Sequence, residues 1–309
     1  MKAKFENSAK VVGDVVKKDY KTENLNSPLG TLRLNANGSN VNFNFWEKVD
    51  KSNNQVLDVV KKTLNGVSDG EKYMIRGELS ERLWEGNYRR QVVNRMISAE
   101  KIYNFDKVSE MSKELATAKL TGDIRELELE LTNEVRGETV EEKTPKVTLE
   151  LGIFSQYNPK EGKDDPNMTR QQVLINEING YINSKNGEVD GKIRKIKEKV
   201  EDTTNTQKLH MLADRYAEAK GGGLFNLTTL HLVAYGDTAE KIGEDFNEGD
   251  NVTFGCDINT KVIVNEYDIV EGNLNEVEIG YVGQRHEKAK VDDFSTGGDF
   301  DDTGFSSPY

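Results

Sequence analysis

A seven-residue string occurs twice in this chain, and that repeat constrains the fold more than any other feature. Residues 9–15 read AKVVGDV and residues 118–124 read AKLTGDI, at an offset of 109. Both fit Ala-Lys-x-x-Gly-Asp-apolar. Side chains alternate between the faces of a strand, so Val11, Gly13 and Val15 share one face in the first copy, and Leu120, Gly122 and Ile124 share it in the second. A glycine inside a strand marks a bend or a bulge. A first strand that must bend sharply is what a small closed barrel requires.

A second match extends the repeat. GEKYMIRGEL at 70–79 aligns with GDNVTFGCDI at 249–258, at an offset of 179. Each follows a helical-looking segment, Asn54 to Leu64 and Asp237 to Phe246, and each starts after a Gly-acidic turn. Tyr73, Ile75 and Leu79 correspond to Val252, Phe254 and Ile258, and Gly77 to Cys256. The offsets differ by 70 (179 against 109), so the second copy must carry an insertion of about that length. Residues 158–222 supply it: they are polar, helical in pattern, and run from Pro159 to Gly221–Gly223. Leu174, Ile178 and Ile182 fall on one helical face, and Leu209, Leu212 and Tyr216 on another.

Strands, then a helix, then strands in each copy is the order of an OB-fold, a five-stranded Greek-key barrel. The predicted fold class is therefore mainly β with helices, in tandem OB-fold barrels. The first occupies 1–107 and the second 108–290, with the helical insertion at about 158–222. Val291 to Tyr309 hold five Asp, no Lys or Arg, and the aromatics Phe294, Phe300, Phe305 and Tyr309. That composition is too polar and Gly-rich to build a core, and predicts a disordered acidic tail.

Charge distribution sharpens the reading. The chain carries a net charge of −12, yet residues 1–106 hold 18 Lys and Arg against 14 Asp and Glu. A mildly basic first unit followed by an acidic remainder suggests one surface for a polyanion and a tail that imitates one.

At this point the sequence resembles the single-stranded DNA-binding proteins of phages and bacteria. The resemblance is carried by AKVVGDV, by VNFNFW at 41–46 and by GELSERLWEGNYRRQVVNRMI at 77–97. In the second copy it is carried by LHLVAYGDTAEKIGEDFNEGDNVTF, whose helix opens at Gly236, Asp237, Thr238, Ala239 and Glu240. The tail is similar to the acidic tails of the same class, although it ends Ser-Ser-Pro-Tyr where those often end Pro-Phe. The resemblance leaves the insertion uncovered. It implies a protein that coats and protects single-stranded DNA in replication and recombination, with little sequence preference. It also implies a tail that docks on a helicase, primase or polymerase through Phe300, Asp301, Asp302, Phe305 and Tyr309.

The residues expected to touch nucleic acid come from alternation. A three-residue connection at Glu85-Gly86-Asn87 sets Trp84 opposite Tyr88, Arg82 opposite Arg90 and Leu79 opposite Val93. Arg76, Arg82, Trp84, Tyr88 and Arg90 then share an outward face, a platform of cations and rings on which bases stack. Trp46 falls opposite the core residues Val41, Phe43 and Phe45, and Lys17, Lys18 and Tyr20 follow the first strand. The basic run from Gly191 to Lys199 reads as a solvated helix face or as a flap over the strand.

Other classes find little support. One cysteine, Cys256, and three scattered histidines, His210, His231 and His286, supply neither a disulfide nor a zinc site. There is no phosphate loop and no Lys-x-Asp-Gly. Asp299-Phe-Asp-Asp-Thr-Gly304 starts like a calcium loop but lacks its closing Glu. No enzyme, metal or cofactor is expected. With no membrane span and no apolar leader in MKAKFENSAK, the expected setting is the cytoplasm. A structural or assembly scaffold and an RNA-binding regulator are the competing readings.

Overall fold

The fold was analysed in a computed structural model, which describes residues 2–21, 29–46, 49–50, 55–56, 58–84, 87–94, 105–130, 133–136, 139–142, 144–155, 157–158, 163–164, 167–264 and 270–289. The expected tail at 291–309 lies outside the described residues, as does Ile97.

In the first half the elements are β1 (Glu6–Lys21), β2 (Leu29–Ala36), β3 (Ser39–Trp46), β4 (Val49–Asp50), β5 (Gln55–Val56), α1 (Val59–Asn65), β6 (Lys72–Trp84), β7 (Asn87–Asn94) and β8 (Phe105–Lys107). In the second half they are β9 (Leu115–Glu130), β10 (Asn133–Arg136), β11 (Thr139–Glu142), β12 (Lys146–Phe154), β13 (Tyr157–Asn158), β14 (Lys163–Asp164), α2 (Arg170–Ser184), α3 (Gly191–Glu201), α4 (Thr206–Lys220), β15 (Leu227–Tyr235), α5 (Gly236–Asp245), β16 (Asn251–Val264) and β17 (Val270–Glu287).

Two five-stranded circuits close. The first runs β1–β2–β3–β7–β6 and returns to β1; the second runs β9–β12–β15–β17–β16 and returns to β9. In each, one pairing is parallel, β3 with β7 and β15 with β17, and the rest are antiparallel. In each, a helix, α1 or α5, lies between the third and fourth strands. The first helix is shorter than its sequence pattern suggests: it begins at Val59, and Gln55–Val56 belong to a two-stranded ladder instead.

The ladder registers bear out the repeat position by position. Ala9, Val11 and Gly13 pair with Gly77, Ile75 and Tyr73; Ala118, Leu120 and Gly122 pair with Cys256, Phe254 and Val252. The first strand of each circuit also carries a bulge at the same place, Val16 in β1 and Arg125 in β9. Gly13 and Gly122 lie just before it, where the second strand crosses. A Cβ on Gly122 would stand 2.6 Å from the Gly152 carbonyl oxygen, and one on Gly13 would collide with the Asn35 carbonyl. Asn35 and Gly152 are themselves equivalent, opposite Asp14 and Asp123.

The circuits are joined by an antiparallel ladder between β1 and β9, in which Ala9 faces Ala118. These are the repeat's own equivalents, so the ladder has an approximate two-fold axis at that pair. Val12 with Leu115 and Glu6 with Thr121 are related by it, as are Val11 with Ala116 and Asn7 with Leu120. One apolar core runs through both circuits, from Val11, Phe43 and Ile75 to Leu120, Phe254 and Leu232.

The insertion falls between the second and third strands of the second circuit and has a core of its own. Leu174, Ile178, Ile193, Val200, Leu209, Leu212, Ala213 and Tyr216 are buried together, with Ile182 packed against them. Its helices are capped locally. Thr169 and Gln172 form a capping box on α2, Asp190 caps α3, and Asn205 caps α4, which ends at Gly221 with φ 74°. Gln171 on α2 donates to the carbonyls of Val200, Glu201 and Thr203, holding the end of α3.

Close approach makes a specific prediction. Gly13→Ala and Gly122→Ala should each lower the unfolding midpoint, because a carbonyl of the crossing strand must move. Gly180→Ala, mid-helix with nothing within 4 Å of the added Cβ, should instead stabilise by about 0.5–1 kcal/mol. Denaturant titration of the three variants checks both signs.

Candidate nucleic-acid interface

Outward positions on the first three strands of each circuit form equivalent rows. In the first circuit Lys17 pairs with Arg33, and Arg33 with Asn42. In the second, Glu126 pairs with Glu150, and Glu150 with His231. One scaffold therefore carries Lys-Arg-Asn in one half and Glu-Glu-His in the other.

The first row is open. Lys17 and Arg33 are exposed, and Arg33 Nε donates to Asn42 Oδ1 at 2.8 Å. The next positions along the strands are Asp19, Thr31 and Asn44, and the positions after them are Lys21, Leu29 and Trp46. The arrangement is a shallow polar surface with fixed cations and amide groups. Arg33 and Asn42 are the contribution that sequence reasoning missed. A single arginine in a polar strand gives no local signal, and its pairing with Lys17 depends on the bulge at Val16.

In the second row Glu150 and His231 are tied into ion pairs. The bulge residue Arg125 binds Glu150 at 3.1 Å, meets Asp214 of α4, and donates to Thr229 at 2.9 Å. His231 bonds Glu81 of β6 in the first circuit through Nδ1 and lies 3.4 Å from Glu150 through Nε2. Hydrogen bonds donated to Glu150 and then to Glu81 raise the imidazole from its ordinary 6.5 to about 9. Burial works to raise Glu150, but His231 and Arg125 prevail and hold it below the usual carboxylate range. Glu126, Glu128 and Glu130 stay exposed on this half.

The contact between Glu81 and His231 has a counterpart across the two-fold axis. Thr260, the equivalent of Glu81 at the offset of 179, accepts from the Asn40 backbone N–H at 3.0 Å, and its own N–H donates to Ser39. The fourth strand of each circuit thus crosses the third strand of the other.

The repeated Gly-Asp also diverges. Asp14 is half exposed and lies 4.0 Å from Lys72 across the ladder. Asp123 is fully buried and accepts from Arg170 Nε and Nη2 at 2.6 and 2.7 Å, from Asn251 at 2.9 Å, and bonds His210 at 3.0 Å. Burial alone would raise it, yet the hydrogen bonds of His210 and Arg170 hold it below its ordinary value. Arg170 also meets Glu287 at 3.1 Å, and the Phe5 ring lies 5.4 Å from its guanidinium. Asp123 is therefore the bolt between the barrel strands and helices α2 and α4. His210 serves as a structural hydrogen-bond partner of Asp123, and His231 as a structural ion-pair partner.

The expected binding residues separate. Lys17 lies on the open row. Lys18 is in the opposite phase, paired with Leu32, and its ammonium caps the Val67 carbonyl. Tyr20 packs against the core with Lys61 6.0 Å from its ring centroid. Arg76 is exposed and pairs with Lys10 of β1.

The expected hairpin register is corrected by one residue. Trp84 pairs with Asn87, Leu83 with Tyr88, Arg82 with Arg89, Glu81 with Arg90 and Leu79 with Val92. Two residues, not three, separate the last pair, and β3 confirms the register by placing Phe43 beside Val92. Because the period is two, a one-residue slip exchanges the faces. Positions 76, 82, 84, 87 and 89 share a phase; Tyr88 and Arg90 fall in the other, with Leu79. The side chains of Trp46, Arg82, Trp84, Tyr88 and Arg90 lie outside the described residues.

Among the described residues no group of three or more His, Cys, Asp or Glu could hold a metal ion, and no helix is long and apolar enough to cross a membrane.

No family model and no curated protein matches the chain. Solved structures do. The wild-type single-stranded DNA binding protein from Thermus aquaticus matches over 94% of this chain and 97% of its own, at 12% identity and a TM-score of 0.49. The second single-stranded DNA binding protein, SSBb, from Mycobacterium smegmatis matches over 35% and 97%, at 16% identity and 0.24. A replication protein A heterotrimer bound to single-stranded DNA matches over 82% and 45%, at 8% identity and 0.21.

The divergent pairs make two predictions. Asp123→Asn should cost about 3–5 kcal/mol by breaking its buried pair with Arg170, whereas Asp14→Asn, at a surface pair, should cost about 0–1 kcal/mol; chemical denaturation compares them. His231 has a raised folded value, so its stabilisation is complete below pH 6.5 and disappears as pH rises through about 9. His231→Gln, with Glu81 and Glu150 still facing it, should flatten that alkaline decline in thermal unfolding.

Proposed function

We propose that this chain is a non-catalytic single-stranded DNA-binding protein built from two OB barrels. The first spans 1–107 and the second 108–290, with the helical insertion at about 158–222. DNA lies across the first barrel, on the row Lys17, Arg33 and Asn42. The observation that carries the reading is the contrast between equivalent rows. One presents exposed cations and amides to solvent, and the other ties Glu150 and His231 into ion pairs and leaves the Glu126 carboxylate exposed. Sequence-tolerant binding of a single strand needs cations that follow the backbone and rings on which bases stack. Arg76, Arg82 and Trp84, sharing one strand phase, supply both types on the same barrel, and Arg89 joins them at the corrected register. Trp46 extends the row from β3.

The second barrel is the interaction half. Its acidic face and the acidic, aromatic composition of 291–309 support a role in holding replication proteins, with Phe300, Phe305 and Tyr309 as apolar anchors. In this reading the protein protects single strands during phage or bacterial replication and recombination.

Affinity for a dT oligomer, measured against salt, tests the proposal. It should fall steeply with salt, and duplex should bind more weakly. Arg33→Ala should lower the slope of log affinity against log salt by about 0.7, the share of one neutralised phosphate on a single strand. Trp84→Ala should cost about 1–3 kcal/mol with the slope unchanged. Salt-independent affinity, or equal affinity for duplex, overturns the reading; preference for a matched RNA oligomer moves it to RNA. Truncation after Lys290 should tighten oligomer binding at low salt, because a tethered polyanion competes at high effective concentration.

A further inference from the structure

Helix α3 is basic within an acidic half. Residues 107–290 hold 24 Lys and Arg against 35 Asp and Glu, whereas residues 191–199 hold five against one. Ile193 and Val200 bury one side of the helix in the core of the insertion. Lys195 and Lys199, one turn apart on α3, and Lys208 at the start of α4 are exposed, and they meet no carboxylate among the described residues. Elsewhere in this half Arg125, Lys146, Arg170, Lys220 and Arg285 each meet one. The carboxylates near the three lysines are Glu198, exposed on α3, Glu201, which pairs with Lys197 at 3.2 Å, and Asp202, at the C-terminal end of the helix.

The end of β17 arrives at the same corner. The backbone N–H of Ala289 donates to Asp250 Oδ1 at 3.0 Å. A Cβ on Gly249 would stand 2.8 Å from the Ala289 Cβ and 3.6 Å from the Cγ of Gln207, which adjoins Lys208. From the other side, Arg170 at the start of α2 meets Glu287 at 3.1 Å. Its neighbour Gln171 holds the carbonyls of Val200, Glu201 and Thr203. The chain beyond Ala289 therefore starts beside the end of α3 and the start of α4. Thirteen residues separate Ala289 from Asp302, about 43 Å when extended. Helix α3 has 11 residues and is about 16 Å long. All five aspartates, Asp292, Asp293, Asp299, Asp301 and Asp302, are thus within reach of the three lysines.

We propose that the acidic segment 291–309 docks on this basic corner of its own insertion, with its aspartates on Lys195, Lys199 and Lys208. Charge selects the occupant, since the segment carries five Asp and no Lys or Arg. The place where it leaves β17 selects the site. Each exposed ion pair is weak, but a short tether holds the segment at an effective concentration near millimolar. Docked on α3, the segment is kept from the cations of the first barrel. Helix α3 then sets how much of it is free to compete with other anions there. Salt screens such pairs and releases it.

Amide chemical shifts of the full chain are compared with those of the chain truncated after Lys290, at low salt and at about 0.5 M salt. The full chain is also crosslinked with a carbodiimide, which joins lysine to carboxylate without a spacer, in a mixture of light and isotopically heavy copies. Shifts at 192–199 and at Lys208 should differ between the two chains at low salt and converge at high salt. Crosslinks should join Lys195, Lys199 or Lys208 to the aspartates of 291–309 within one copy. The triple variant Lys195→Gln, Lys199→Gln and Lys208→Gln alters only exposed side chains and so keeps the fold. By freeing the segment it should weaken dT oligomer binding of the full chain about 2- to 5-fold at low salt, and it should leave the truncated chain unchanged. Identical α3 shifts in the two chains overturn the proposal, as do crosslinks that map to Lys17 and not to this corner. Crosslinks between light and heavy copies overturn it in favour of a second copy. Weaker oligomer binding by the triple variant after truncation overturns it in favour of DNA on α3. The shift and crosslink arms contain no DNA, so they decide the docking even if the single-strand reading fails. Oligomer binding with unchanged α3 shifts keeps that reading and removes the docking.

Discussion

The ladder between β1 and β9 is the constraint on which the rest depends. It places Ala9 opposite Ala118 on an approximate two-fold axis, and both are buried in the core that the two circuits share. Every later element inherits its position from this seam. The fourth strands β6 and β16 pair with the same two strands, and their extensions cross the partner circuit at His231 and Asn40. An arrangement of this kind is an isologous interface built within one chain.

The two circuits share one backbone plan and differ in their faces. Core positions kept their character, as with Val11 and Leu120 or Ile75 and Phe254. Outward positions differ: Lys17 stands where the second half has Glu126, and Arg33 where it has Glu150. Divergence of charge at constant register costs little in folding, because exposed side chains pack against few neighbours. It changes what each half attracts at long range. The second half compensates its carboxylates with Arg125 and His231, and the same groups tie it to α4 and to the first circuit.

The Gly-Asp pair shows how context changes one residue's role. At Asp14 the carboxylate remains in water, with a lysine across the ladder. At Asp123 the insertion closes over it and brings Arg170 and His210. A carboxylate in that position is costly unless every oxygen is satisfied, and the guanidinium fork, the imidazole and Asn251 satisfy them. The helices are thus attached through this polar bolt and through Arg125 with Asp214, while their apolar faces pack on one another.

The sequence by itself determined the duplicated strand, its glycine bend, the equivalence of 70–79 with 249–258, and the place of the inserted helices. These lie in local pattern: period-two alternation, glycines where strands cross, and apolar spacing along helices. Only the tertiary structure decided the hairpin register, in which Trp84 meets Asn87 and Tyr88 changes phase, because one residue of turn length reverses every face and turn composition does not fix that length. Tertiary structure also decided that Lys17 stands beside Arg33 while Lys18 and Tyr20 turn toward α1. The bulge that separates them is a property of paired strands, not of either strand alone. The partnership of Asp123 with Arg170, 47 residues away, and of His231 with Glu81, 150 residues away, lay beyond any local signal. Ion pairs are chosen by where the fold removes water.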